Sequence, residues 1–115
     1  FMEALDRYSG QVQRMGEATE MAGFPGLQAV CDHVLENILL LPVFSVEERE
    51  PVLLFLRQWP ALMVHYLRNM DDPSTAAGLV DLLLAAPNPL DEEQGLKIMH
   101  RLGAMQEQLK LYPGG

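Results

Sequence analysis

Three histidines are the side chains of this sequence best suited to chemistry near neutral pH, because an imidazole can serve as acid, base, nucleophile or metal ligand. They are His33, His65 and His100, and no two of them have the close spacing that a shared metal ion requires. The single cysteine, Cys31, can form neither an internal disulfide nor a cysteine-rich metal cluster. The sequence therefore predicts no metal site and no bound cofactor.

Adjacent carboxylates, at Asp71-Asp72 and Glu92-Glu93, are the other groups that could carry acid–base chemistry. Neighbouring residues on a helix point in different directions, so the two acids of a pair do not face a common substrate. Both pairs stand at predicted helix starts, where acidic side chains complement the helix macrodipole. The chain also has no glycine-rich phosphate loop, no HExxH and no CxxC motif. We expect this domain not to be an enzyme.

Length and composition indicate one helical domain. The chain has 115 residues, of which 49% are hydrophobic and only 7% aromatic, and Leu, Ala and Met are frequent helix-forming residues. The net charge of −8 would repel a phosphate backbone, so the composition predicts no nucleic-acid partner. The longest apolar run, residues 38–44, is far shorter than the about 20 residues of a membrane span, so no membrane insertion is predicted.

The ends of the chain and its cysteine content bear on its origin. The first residues lack the basic and then apolar order of a signal peptide, and a lone cysteine fits a reducing compartment. The chain begins with Phe1-Met2 and ends with "YPGG". We therefore expect residues 1–115 to be a single domain, excised from a longer cytoplasmic protein.

Apolar residues recur at helical spacing in five segments, and no period-2 alternation suggests a strand. The fold class predicted is all-α: a bundle of four to five helices, in which the first two form an antiparallel hairpin packed against the third. Gly23, the Ser45–Glu48 capping box and an Asp72 cap mark boundaries, and Pro51 and Pro60 predict kinks or short breaks. The predicted segments are residues 2–22, 25–41, 45–70, 73–86 and 91–109.

The same spacing predicts which residues face the core. In the first helix the predicted buried stripe is Leu5, Tyr8, Val12, Met15, Thr19 and Ala22. In the second it is Leu27, Val30, Cys31, Val34, Ile38 and Leu41. Gln13 and His33 lie more than roughly 100° from these stripes, so both are predicted to face solvent. His65, on an apolar segment, is predicted at the edge of the core.

The stretch around the first turn resembles a known family. The residues Gly23-x-x-Gly-Leu-x-x-x-Cys-x-x-x-x-Glu36 are similar to the second helix of histidine phosphotransfer (HPt) domains. Functional members of that family carry His-x-x-Lys-Gly about ten residues before the turn glycine. The resemblance places Gln13 at the phosphoacceptor position, Gly16 at the lysine position and Glu17 at the glycine position.

The second half of the chain is similar to degenerate HPt-like modules of CheA-type chemosensory hybrid histidine kinases, notably those that control type IV pili. The similarity rests on Trp59-Pro60-Ala61-Leu62, on His65-Tyr66-Leu67 and on the "DDP…PLDEE" connection. It implies a non-catalytic module with a docking or spacing role in a phosphorelay. The implied partners are a response-regulator receiver domain or neighbouring modules of the kinase.

The chemistry of the three aligned positions decides what such a module could do. A carboxamide at position 13 cannot replace an imidazole nucleophile, and Glu17 would repel a phosphoryl group. His33 and His100 are weaker phosphoacceptor candidates, because Glu36 stands where a lysine is wanted and few residues follow His100. The alternative is a generic helical interaction or dimerisation domain, in which case a homodimer is expected.

Overall fold

The computed structural model describes the backbone of residues 2–110 and the side chains of residues 2–107. Within that range the chain forms five α-helices and one short 3₁₀ turn, with no β-strand. This confirms the predicted all-α bundle. The helices are α1 (Met2–Met21), α2 (Pro25–Ile38), α3 (Val46–Arg68), α4 (Pro73–Leu84) and α5 (Glu92–Lys110), and the 3₁₀ turn is Leu41–Val43.

Helices α2, α3, α4 and α5 pack in a ring, each against the next, and α5 closes the ring against α2. Helix α1 lies outside the ring and packs along α2, with which it forms the predicted hairpin. The predicted packing of this hairpin against the third helix is present, through α2 and through Tyr8 of α1, but α2 contacts α5 more extensively than α3. Residues 24–38 are therefore covered by helices on several sides.

Local capping signals account for most helix boundaries. Ser45 accepts the backbone N–H of Glu48, whose carboxylate accepts the N–H of Ser45, so the predicted capping box is present. Asp72 caps α4 by accepting the N–H of Ser74. Gly23 ends α1 with φ +83°, and the N–H of Phe24 donates to the carbonyl of Thr19, which forms a Schellman turn.

Proline affects two helices differently from the prediction. Helix α2 ends at Ile38, earlier than the predicted residue 41. The chain continues through Leu39 and Leu40, both in the right-handed helical region, into the 3₁₀ turn that contains Pro42, which lacks an N–H. Helix α3 runs through Pro51 and Pro60 without a break, so of the predicted kinks or short breaks the breaks do not occur. Both prolines are exposed. Pro60 cannot donate to the carbonyl of Leu56, four residues earlier, and this carbonyl instead accepts the Tyr8 hydroxyl at 3.5 Å.

The same hydroxyl attaches α1 to α3. Tyr8 accepts the indole N–H of Trp59 at 2.8 Å while it donates to Leu56. Burial raises the pKa of Tyr8, and the hydrogen bond from Trp59 opposes that shift. The hydrogen-bonded pair therefore keeps both donors satisfied at the contact between the two helices.

The core lies inside the ring and between α1 and α2. All six residues predicted for the buried face of the second helix, including Cys31, are buried. Tyr66, fully buried, donates its hydroxyl to the carbonyl of Leu102 at 2.8 Å, and burial raises its pKa to about 12. Among the helices of residues 2–110, none combines the length and apolar character needed to cross a lipid bilayer.

Candidate functional site

The exposed side of α1 carries two of the three residues aligned with the phosphotransfer motif. Gln13 is exposed, as predicted, and Glu17 is exposed one helical turn later. The Gln13 amide Nε2 donates to Oε1 of Glu17 at 3.4 Å. We call these two residues the Gln13 face. Its groups can donate and accept hydrogen bonds, but neither is a nucleophile able to take a phosphoryl group from an aspartyl phosphate.

Gly16, the third aligned residue, does not belong to this face. It is buried in the contact between α1 and α2, where an added Cβ atom would lie 3.3 Å from the Cβ atom of Cys31. A lysine at this position would therefore not lie on the exposed face beside residue 13. A longer side chain at position 16 would push the two helices of the hairpin apart.

The buried stripe of α1 is rotated relative to the predicted one. Met15 is 43% exposed and Ala22 is exposed, while Val12 and Gly16 are buried. Thr19 is half-buried, and its hydroxyl donates to the carbonyl of Gly16 at 2.7 Å. The physical reason is that close approach of two helices selects a small residue at the contact, whereas hydropathy alone favours methionine there. The spacing Val12–Gly16, one turn apart, is the signal that would have indicated this.

His33 is buried, so the prediction of a solvent-facing side chain is wrong. Only 5% of its surface is exposed. Its Nδ1 atom lies 3.2 Å from Oε2 of Glu36, and its Nε2 atom is buried with no hydrogen-bond partner among the described residues. The physical reason is the ring arrangement: α5 covers a second side of α2, which a single apolar stripe did not indicate.

A shallow groove of about 210 Å³ lies beside His33, between α2 and α5. Asp32 and Glu36 stand on the α2 wall, and Lys97 and Arg101 stand on the α5 wall. As a phosphoacceptor His33 is poorly placed, because Nε2 is inaccessible and Nδ1 faces a carboxylate that would repel a phosphoryl group. The groove is more suited to hydrogen bonding and charge pairing than to group transfer.

The other two histidines lie on the surface. His100 is exposed on α5, beside an open hollow that Pro73 and Gly103 also line. His65 is exposed too, which corrects its predicted place at the core edge, and its Nδ1 atom lies 3.2 Å from Nδ2 of Asn69. The structure thus keeps the three histidines apart, and the described residues contain no group of three potential ligands placed to hold a metal ion.

Cys31 provides a direct check of the hairpin in solution. Burial, and then the nearby carboxylate of Asp32, raises the pKa of the Cys31 thiol to about 11, so the thiolate is scarce at pH 8. We expect iodoacetamide to alkylate the native protein at least roughly a hundredfold more slowly than the protein unfolded in guanidinium. A Cys31→Ser/Gln11→Cys variant, with its thiol on the exposed side of α1, is the control and should react rapidly when folded. Equal rates for native and unfolded Cys31 would contradict the packing of Gly16 on this residue.

No protein-family model, no curated protein sequence and no solved structure matches this chain.

Proposed function

We propose that this chain is a non-catalytic HPt-like module of a chemosensory two-component histidine kinase, with a docking or spacing role in a phosphorelay. The observation that carries the proposal is the Gln13 face: an outward-facing amide and carboxylate on a hairpin whose two helices are held close by Gly16 and Cys31. The position that the resemblance gives to a phosphoacceptor is accessible to a partner. Its side chain lacks the nucleophile that phosphate transfer requires.

The charge of the Gln13 face supports docking without transfer. A phosphoryl group carries negative charge during transfer. Cationic groups stabilise this charge, whereas the carboxylate of Glu17 would repel it. We therefore assign the domain itself no enzymatic activity, although the parent protein is expected to be a histidine kinase of the cytoplasm. The proposed partners are a receiver domain of a response regulator or neighbouring modules of the same kinase.

The proposal predicts binding without labelling. In a titration with a receiver domain from the same chemosensory system, the backbone amide resonances of Gln13 and Glu17 should shift. A Gln13→Trp variant, which places a bulky ring on this face, should weaken the complex at least about tenfold, while Gln11→Trp, about 200° around α1, should not. Incubation with the phosphorylated receiver should leave no acid-labile label on the wild-type chain. Label on His33 or His100, or equal effects of the two tryptophans, would refute the proposal.

A second candidate function, dimerisation, is favoured by the outer side of α3. Val64 and Leu67, about one turn apart, are both exposed there, next to the exposed Pro60. Exposed apolar side chains that are adjacent on a helix are typical of interfaces. Under this alternative, sedimentation would show a dimer that Leu67→Glu converts to a monomer. A monomer at all concentrations would exclude it.

A further inference from the structure

An apolar groove of about 350 Å³ lies on the outer surface between α4 and α5. We call it the α4–α5 groove. Val80 and Leu84 of α4 line it together with Leu96 and Met99 of α5. Leu96 is 71% exposed, and Leu84 is also exposed in spite of its apolar side chain. None of these residues belongs to the Gln13 face, which lies on α1.

Close packing below the groove accounts for its shape. An added Cβ atom at Gly95 would lie 3.0 Å from Cδ2 of Leu84, so the glycine leaves room for a close contact between α4 and α5. Leu96, the next residue, is then directed away from this contact and toward solvent. The result is an apolar concave surface of helix side chains, which is the kind of surface that receives one face of another helix.

The charges at its edges are of one sign. Asp81 and Glu92 line the groove, and both are exposed. Neither carboxylate makes an ion pair or hydrogen bond with another described residue, whereas the neighbouring Glu93 is paired with Lys97 at 3.5 Å. The whole chain has a net charge of −8, so both local and overall charge favour a cationic partner.

We propose that the α4–α5 groove binds an amphipathic helix of another protein, with apolar anchors at i, i+3, i+4 and i+7 and with Lys or Arg beside them. The apolar floor would bury the anchors, and the basic side chains would meet Asp81 and Glu92. A second copy docked groove to groove would bring the same carboxylates together, and a membrane rich in anionic lipid would be repelled. The groove shares no residue with the Gln13 face, so this partner is distinct from the one proposed there.

The test uses a synthetic helical peptide of about 18 residues, or five turns, with leucines at the anchor positions and lysines beside them. Its binding to the full chain is measured by fluorescence anisotropy and mapped by amide shifts. We expect the shifts to fall on the α4–α5 groove. A Leu96→Glu variant should weaken binding at least about tenfold, because it places a carboxylate where an apolar anchor is buried. Leu54→Glu, which adds the same charge at an exposed leucine of α3, is the matched control and should leave the affinity unchanged.

A charge exchange separates specific recognition from general attraction to an acidic protein. In Asp81→Lys/Glu92→Lys, the lysine-flanked peptide should bind more weakly, and a peptide with the same leucines but glutamates beside them should bind more tightly. Equal losses from Leu96→Glu and Leu54→Glu, or shifts that map elsewhere, would overturn the proposal. So would self-association of the wild-type chain that Leu96→Glu abolishes, because the occupant would then be a second copy.

Discussion

Replacing Asn37 with alanine should lower the free energy of unfolding by about 3 kcal/mol. Asn37 is fully buried on α2, and its side chain reaches the connection between α4 and α5. The carboxamide oxygen accepts the backbone N–H of Asn88 at 2.9 Å, and Nδ2 donates to the backbone carbonyl of Asn88 at 3.2 Å. The same Nδ2 donates to the carbonyl of His33 at 3.1 Å.

The sequence of that connection explains why the loss should be large. Asn88 stands between Pro87 and Pro89, neither of which has an N–H, so its amide is the sole backbone donor of the three residues. Without Asn37 this amide and the carbonyl of Asn88 lose their partners in a half-buried place. Each such group costs about 1–3 kcal/mol. The truncated side chain also leaves a void.

Urea denaturation followed by circular dichroism at 222 nm measures this effect. The control is Asn88→Ala, because Asn37 bonds to the backbone of residue 88 and not to its side chain. That variant should stay within about 0.5 kcal/mol of the wild type. If Asn37→Ala costs less than the control, the bridge between α2 and the 87–89 connection does not exist in solution.

A Gln13→His/Glu17→Lys variant should acquire phosphate that the wild-type chain does not accept. This expectation depends on the proposed HPt-like function. The imidazole supplies the nucleophile, and the lysine, one turn away at i+4, replaces a repelling carboxylate with a positive charge. Both positions are exposed, so the fold should lose no more than about 0.5 kcal/mol. Gly16 stays unchanged, because a lysine there would force α1 away from Cys31.

Acid-labile label transferred from a phosphorylated receiver domain measures the gain. A Gln11→His/Met15→Lys variant carries the same pair on another exposed side of α1 and serves as the matched control. Only the Gln13 variant should be labelled, at a trace level at least. Equal labelling of both variants would show that any exposed imidazole suffices. A folded Gln13 variant without label from any receiver of the system would count against the alignment of this position with the phosphoacceptor.

The amino-acid sequence by itself determined the helices and several of their ends. Ser45 with Glu48, Asp72 with Ser74, and Gly23 each satisfy backbone groups within a few residues of themselves. Such signals are complete in a short stretch of chain, so they can be predicted without knowledge of what packs where. The exposure of Gln13 was predicted correctly as well, although the buried stripe of α1 from which it was predicted is centred differently in the structure.

Only the tertiary structure decided the burial of Gly16 and His33. Periodicity indicates one buried side of a helix, but α2 is covered on more than one side, by α1 and by α5. Gly16 was missed because its role is to provide space, which no hydropathy value expresses. His33 was missed because α5, which packs against α2 and lines the groove beside His33 with Ile98 and Arg101, lies far away in sequence.

The continuity of α3 through Pro60 also depends on a contact with a residue that is distant in sequence. Pro60 removes one helical hydrogen bond, and from the sequence alone a break is a reasonable expectation. The break is avoided because Pro60 faces solvent and because Tyr8, on another helix, donates to the carbonyl of Leu56 that the proline leaves free. Helix caps are hydrogen bonds between residues that are close along the chain. Burial, close helix contacts and the tolerance of a proline depend on atoms that the fold brings together from distant positions.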